Sequence, residues 1–193
     1  MSIKPDVWIK HMAKEEGMIE PFSENDYNFA GRPPLQADLA YNKDGGNIPL
    51  SVINLHMKCC DSGLARRKKA GKMLHNYLDE HYEKQSNIIV LGDWNDDTKD
   101  NPGEHCFDAF FNDERFYFVT EEIAFDISQA SYPKEPYVSF LDHIMVSEAL
   151  LPNNSDYTVQ TLLMGNYMGG YEVYDAYISD HRPVLLSFSM GRR

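Results

Sequence analysis

Six side chains in this chain of 193 residues stand where buried strands give out. His56 follows SVINL, Asp93 and Asn95 follow IIVLG, Asp142 precedes HIMV, and Asp180 and His181 precede RPVLLSF. Polar groups in such places cost free energy unless they are paired or coordinated, and one shared site would satisfy them together. Their chemistry suits attack by water on phosphorus. Asp93 can orient or deprotonate a water, the Asn95 amide can donate to a phosphate oxygen, and His56 and His181 can donate to developing negative charge. Asp180 adds a hard oxygen ligand of the sort magnesium or manganese prefers. Asp142 can grip one nitrogen of His181 and fix its tautomer, as the acid does in a serine-protease triad. No serine sits in a strand-turn-helix elbow.

The elements that must carry these groups are legible from periodicity. Leu35, Ala37, Leu39 and Tyr41 alternate with Gln36, Asp38 and Ala40, which predicts a half-buried strand. The turn cluster NKDGGN at 42–47 and the run LSVINLH at 50–56 complete a hairpin. Ala70, Met73, Leu74, Tyr77, Leu78 and Tyr82 recur at spacings of three and four and predict an amphipathic helix over 64–82. A short apolar strand over 88–91 follows, so strand, helix and strand form a crossover unit with the helix on a sheet face. A shorter helix is expected over 104–112, and strands over 140–146 and 184–188. Two regions result: a poorly defined N-terminal segment, 1–31, with a short stripe of Trp8, Ile9 and Met12, and a domain over 32–193.

Composition narrows the partners. Eighteen Lys and Arg face 30 Asp and Glu, and a net charge of -12 opposes non-specific coating of a phosphate polyanion. No apolar run approaches the roughly 20 residues needed to span a bilayer, and the N-terminus lacks the order of a signal peptide. The reading is a soluble protein, cytoplasmic or exported. Cys59, Cys60 and Cys106 make neither a disulfide framework nor a zinc ribbon; vicinal bonding of the adjacent pair or a bridge to Cys106 stays open, and plain buried thiols are the preferred reading.

INLH at 53–56, LGDWND at 91–96, LDHIMVS at 141–147 and ISDHRPV at 178–184 together resemble the ordered motif series of the DNase I-like endonuclease/exonuclease/phosphatase superfamily. RPPL at 32–35 resembles the strand that often precedes the first of these. The resemblance implies an α/β fold, a four-layered αββα sandwich of two mixed β-sheets, and a metal-dependent phosphoesterase using Mg2+ or Mn2+. His56 would then bond the scissile phosphate, Asp93 would position water, and Asn95 would hold a phosphate oxygen. Asp180 and Asp93 would lie at the metal, His181 would stabilise the transition state, and Asp142 would orient His181. The chain departs from the pattern in lacking a strand that ends in Gln-Glu, whose glutamate is a principal metal ligand in the family. Glu15, Glu16, Glu20 and Glu24 follow no apolar strand. It therefore reads as the C-terminal two-thirds of such a domain, with a sheet face that a partner or a second copy could cover.

Within that class a nuclease acting on a phosphodiester is the first assignment. A phosphomonoesterase or lipid phosphodiesterase is the alternative, and a non-catalytic half-domain or binding module is the rival. Other features carry plainer expectations. Arg66, Arg67, Lys68 and Lys69 read as a solvated helix face, Asp96, Asp97, Lys99 and Asp100 as a hydrophilic loop, and Trp94 and His143 as structural. Tyr167, Tyr171, Tyr174 and Tyr177 read as packing residues.

Overall fold

The computed structural model describes residues 20–21, 29, 32–43, 46–152 and 155–189. Most of the predicted N-terminal segment, including the Trp8, Ile9 and Met12 stripe and the side chains of the four glutamates, lies outside the described residues. Eight strands are described: β1 (Glu20–Pro21), β2 (Leu35–Lys43), β3 (Gly46–His56), β4 (Ile88–Asp93), β5 (Phe116–Phe118), β6 (Asp142–Ser147), β7 (Tyr157–Thr161) and β8 (Val184–Phe188). The α-helices are α1 (Leu64–His81), α2 (Asp108–Phe111), α3 (Glu121–Ala124) and α4 (Tyr171–Tyr177).

The larger sheet runs β1-β2-β3-β4-β6-β5 and is mixed. β2 and β3 form the expected antiparallel hairpin, with pairing that reaches Lys43 and Gly46, so both strands are longer than the alternation predicts. β3 and β4 are parallel, as a crossover through α1 requires. The stripe Ala70, Gly71, Leu74 and Leu78 of α1 is buried, and Met73, Tyr77 and Tyr82 pack at its margin. Gly71 is needed there, because a Cβ would stand 2.6 Å from the Cys106 carbonyl oxygen. On that face Ile53, Leu55, Val90 and Met145 meet α1, and Trp94 packs against Phe107, Phe110 and Phe118 at centroid distances of 5.4, 5.8 and 5.3 Å. Each such ring pair adds about 0.5–1.5 kcal/mol beyond its area burial.

The opposite face of the larger sheet presents Ile89, Leu91, Ile144 and Val146 to Val159, Val184, Leu186 and Phe188 of a β7-β8 pair. This is the α/β sandwich of two sheets, with two qualifications among the described residues. The second sheet is an antiparallel pair and not mixed, because its two strands run in opposite directions on either side of one connection. Its outer face, Thr158, Gln160, Leu185 and Ser187, is exposed, so the fourth layer is open there. Three of those four side chains are polar and offer a covering helix no apolar stripe.

Shorter elements depart from expectation too. The helix predicted over 104–112 is a single turn, Asp108–Phe111, preceded by a turn rather than a cap. The strand expected from Phe140 begins at Asp142, because the Leu141 backbone N–H donates to the Ser131 hydroxyl instead of joining a ladder. The Arg66–Lys69 run is not wholly solvated: Arg67 is buried against Asp96. Asp96 and Asp97 are likewise buried, the second paired with Lys99 at 2.8 Å and accepting from the Phe140 backbone N–H. Of the cysteines, Cys106 is buried as expected, but Cys59 is half-buried and Cys60 exposed. Of the tyrosines, Tyr174 is buried, while Tyr167 and Tyr177 are exposed.

Candidate active site

β3, β4 and β6 lie side by side, with His56 opposite Asp93 and Asp93 opposite Asp142 in register. A two-residue period puts all three on the face that carries Leu91 and Ile144, at the end where the filling of the sandwich stops. An open cleft of about 400 Å³ forms there, lined by Arg32, Asn54, His56, Gly92, Asp93 and Asp142. His56 Nε2 stands 3.1 Å from Asp93 Oδ2. The strands approach this closely because residue 92 is glycine: its φ is 134°, and a Cβ would fall 2.0 Å from the Leu55 carbonyl oxygen.

The turn after β4 sets the next two side chains. Asn95 adopts a left-handed conformation, φ 54°, which asparagine tolerates better than most residues. Its backbone N–H donates to Asp93 Oδ1 at 2.9 Å, and its amide donates to Asp93 Oδ2 at 2.8 Å and to the Met57 carbonyl at 3.2 Å. Trp94, between them, points into the core and donates its indole N–H to the His143 carbonyl. It packs, as expected. His143 is fully buried beside Thr120 and the Asp96 carbonyl, and burial pushes its pKa down to about 4, which keeps it a neutral structural imidazole.

His181 reaches the site from the entry to β8. Its Nδ1 lies 2.6 Å from Asp142 Oδ2. Ser131 ties the two segments: its hydroxyl accepts from the backbone N–H of Leu141 and of Asp142, and its carbonyl accepts from the Arg182 N–H at 2.7 Å. Asp180 is exposed, with its carbonyl held by the Tyr171 hydroxyl at 2.7 Å.

Arg32 is the site residue the sequence reading left unassigned. Its Nη1 stands 2.9 and 3.0 Å from the two ring nitrogens of His56. In RPPL it stands ahead of two prolines that fix the entry to β2, outside any apolar run.

Electrostatics divide the cluster. Burial, reinforced by the charge of Asp142, pushes Asp93 up to about 6. Burial lowers His56, and Arg32 and His181 lower it further. Burial acts the same way on His181, but the hydrogen bond and charge of Asp142, helped by Asp93 and Asp180, outweigh it and raise the imidazole above its ordinary value. The result is a carboxylate with a pKa of about 6 beside one imidazole that gives up its proton more readily than usual and one that holds it more tightly. The oxygen donors of Asp93 and Asp180 have the hardness magnesium takes. Among the described residues, however, no three His, Cys, Asp or Glu side chains gather closely enough to hold a metal ion. The described donors therefore do not complete a metal centre.

Comparison with known proteins defines the class of fold. No family model matches the chain. Two dCTP deaminases from Acidithiobacillus ferrooxidans strains are 78% identical over only 23 residues, 12% of this chain and 12% of each of theirs. Solved structures match far more of it. TDP2 of D. rerio complexed with single strand DNA product superposes with a TM-score of 0.59 and 18% identity, over 96% of this chain and 83% of that one. A humanized D. rerio TDP2 gives 0.59 and 16%, over 89% and 65%. An endonuclease/exonuclease/phosphatase from Beutenbergia cavernae gives 0.56 and 14%, over 90% and 44%. The chain has the fold of these TDP2 and endonuclease/exonuclease/phosphatase structures, in agreement with the fold that the four motifs imply. The chain spans 65% of the humanized TDP2 chain and 12% of the curated deaminases it matches.

Proposed function

We propose that this chain is a phosphoesterase that hydrolyses a phosphodiester by water attack, and that its substrate class is nucleic acid. One observation carries the reading: His56, Asp93 and Asp142 stand in register on three neighbouring strands at one cleft, and His181, from the entry to β8, pairs with Asp142. Asp93, with a pKa of about 6, is near the value that suits a general base at neutral pH. It takes the proton of the attacking water, and Asn95 fixes the carboxylate. Arg32 and His56 bond the phosphate oxygens. Asp142 accepts from Nδ1–H of His181, which leaves Nε2–H to donate to the oxyanion that grows in the transition state. No covalent intermediate forms.

Magnesium or manganese dependence, with Asp93 and Asp180 as ligands, is the finer part of the proposal. An ion there needs oxygen donors beyond these two, from water or substrate. Calorimetric titration with each cation tests it, and absence of binding at millimolar concentration favours the rival reading, a non-catalytic half-domain. The alternative chemistry, a phosphomonoesterase or lipid phosphodiesterase, accords with the acidic balance of 30 against 18. Plasmid nicking and cleavage of labelled single-stranded DNA, set against release of inorganic phosphate from small esters, separates the two. Asp93→Ala and His181→Ala should each lower turnover by about 10²–10⁴-fold with the fold retained by circular dichroism. Turnover that survives either change removes that residue from the mechanism.

A further inference from the structure

The loop that leaves β3 holds a second chemically active cluster, which the hydrolytic reading does not use. Cys59 and Cys60 follow His56 by three and four residues, and their sulfurs are 2.7 Å apart, with the Cys60 thiol donating to Cys59. Neighbouring side chains in extended backbone point to opposite sides, so two adjacent sulfurs meet only if the chain bends between them. The bend is present: Cys60 has φ 70°, a left-handed conformation that a residue with a Cβ adopts rarely. It is also held from beneath. The buried Arg67 guanidinium donates through Nη1 to the carbonyls of Lys58 and Cys60 at 2.8 and 2.7 Å, and the Gly63 N–H donates to the Cys60 carbonyl at 2.8 Å. Residue 63 must be small, since a Cβ there would meet the Lys58 carbonyl at 2.8 Å and Arg67 Nη1 at 2.9 Å.

We propose that Cys59 and Cys60 form a dithiol modification site that takes a low-molecular-weight disulfide of the glutathione type and closes to a vicinal disulfide. The two thiols are unequal. The hydrogen bond from Cys60 lowers Cys59 below the usual thiol value against the effect of burial, and the ammonium of Lys58, 3.6 Å away, lowers it further. The same hydrogen bond raises Cys60. Cys59 is therefore the attacking thiolate, and the exposed Cys60 resolves. In the first step the Cys59 sulfur bonds one sulfur of the small disulfide, whose S–S bond breaks and releases one thiolate, which takes up the Cys59 proton. In the second, Cys60 loses its proton, attacks the Cys59 sulfur and displaces the second small thiolate, which takes that proton. Two protein thiols are oxidised and one disulfide is reduced to two thiols.

The product is reversible by its geometry. Consecutive Cα atoms are about 3.8 Å apart across a trans peptide, short of the roughly 4.4–6.8 Å that an unstrained bridge spans. A strained disulfide has a high reduction potential and opens readily, which is the behaviour of a labile site and not of a structural one. Cys106 is buried and takes no part.

The test is peptide mass spectrometry on the folded chain after exposure to glutathione buffers of graded oxidation. The expected result is loss of two hydrogens from the tryptic peptide that begins at Cys59, with no retained glutathione and full reversal by dithiothreitol. Cys60→Ser should instead trap glutathione on Cys59, since the resolving thiol is gone. The chain unfolded in urea should close far more slowly, because the bend and the sulfur contact are lost. Stable glutathione on the wild-type pair overturns the proposal, and so does equal closure in the folded and unfolded chains.

Discussion

At the scale of single residues, the proposed chemistry has a pH signature. Asp93 must be ionised to take a proton, so activity should rise with pH through about 6. His181 must be protonated to donate, and its raised pKa puts the loss of that proton above the ordinary imidazole value, so activity should fall again on the alkaline side. A bell-shaped rate profile is expected. Asp142→Asn deletes the charge and the charged acceptor that raise His181, so the alkaline limb should move to lower pH and the rate should drop by about 10²–10⁴-fold. An alkaline limb that stays in place would show that another group sets it. Stability carries the opposite sign to a buried salt bridge. Since Asp93 holds its proton more tightly in the folded state, its contribution falls as pH rises between about 4 and 6. Asp93→Asn should therefore stabilise the protein at pH 7 by about 1–3 kcal/mol while lowering turnover, with no gain below pH 4. Thermal unfolding at the two pH values measures the difference.

At the scale of elements, the tie between α1 and the loop after β4 is the buried pair of Arg67 and Asp96. Burial alone would lower the Arg67 pKa, but the Asp96 hydrogen bond and charge reverse that. Arg67→Met strands a buried carboxylate and should cost about 3–5 kcal/mol in urea unfolding. Arg67→Met with Asp96→Leu should recover part of it, while the Lys58 carbonyl loses its Arg67 donor and the Cys60 carbonyl keeps only the Gly63 N–H, which holds the double variant about 1–3 kcal/mol below wild type. Equal losses in single and double variants would place the cost in the loop and not in the charge pair. This pair also marks what the sequence concealed. Long periodic elements were legible: the hairpin alternation and the α1 stripe name their buried faces directly. Arg67 falls three and four residues before Ala70 and Gly71, so it lies on that same stripe, but a run of basic residues masks the period. β5, of three residues, is too short for its alternation to show, and only tertiary packing around Trp94 defines it. The site was legible because each polar group interrupts an apolar run. Arg32 was not, since it precedes its strand and has no run to interrupt.

At the scale of the whole molecule, two terms oppose each other. On β2 and β3, Leu35, Leu39 and Tyr41 are 43%, 51% and 44% exposed on the same sheet face as the half-buried Ile48, Leu50 and Val52. The β7-β8 pair covers the β4 and β6 side of that face instead. A contiguous apolar patch of this kind favours association. A net charge of -12 on every copy resists it, over a range that salt controls. The screening length is about 30 Å at 0.01 M ionic strength and about 3 Å at 1 M, so repulsion dominates in dilute salt and fades as salt is added, while apolar attraction does not. The mass measured by light scattering should therefore be that of one chain at low ionic strength and rise toward that of two at high ionic strength. Leu39→Glu with Tyr41→Glu should suppress the rise at little cost in stability, because both side chains are already half exposed. A mass that ignores salt would mean that the face does not attract its own copy, and a rise that survives both substitutions would move the contact to another surface.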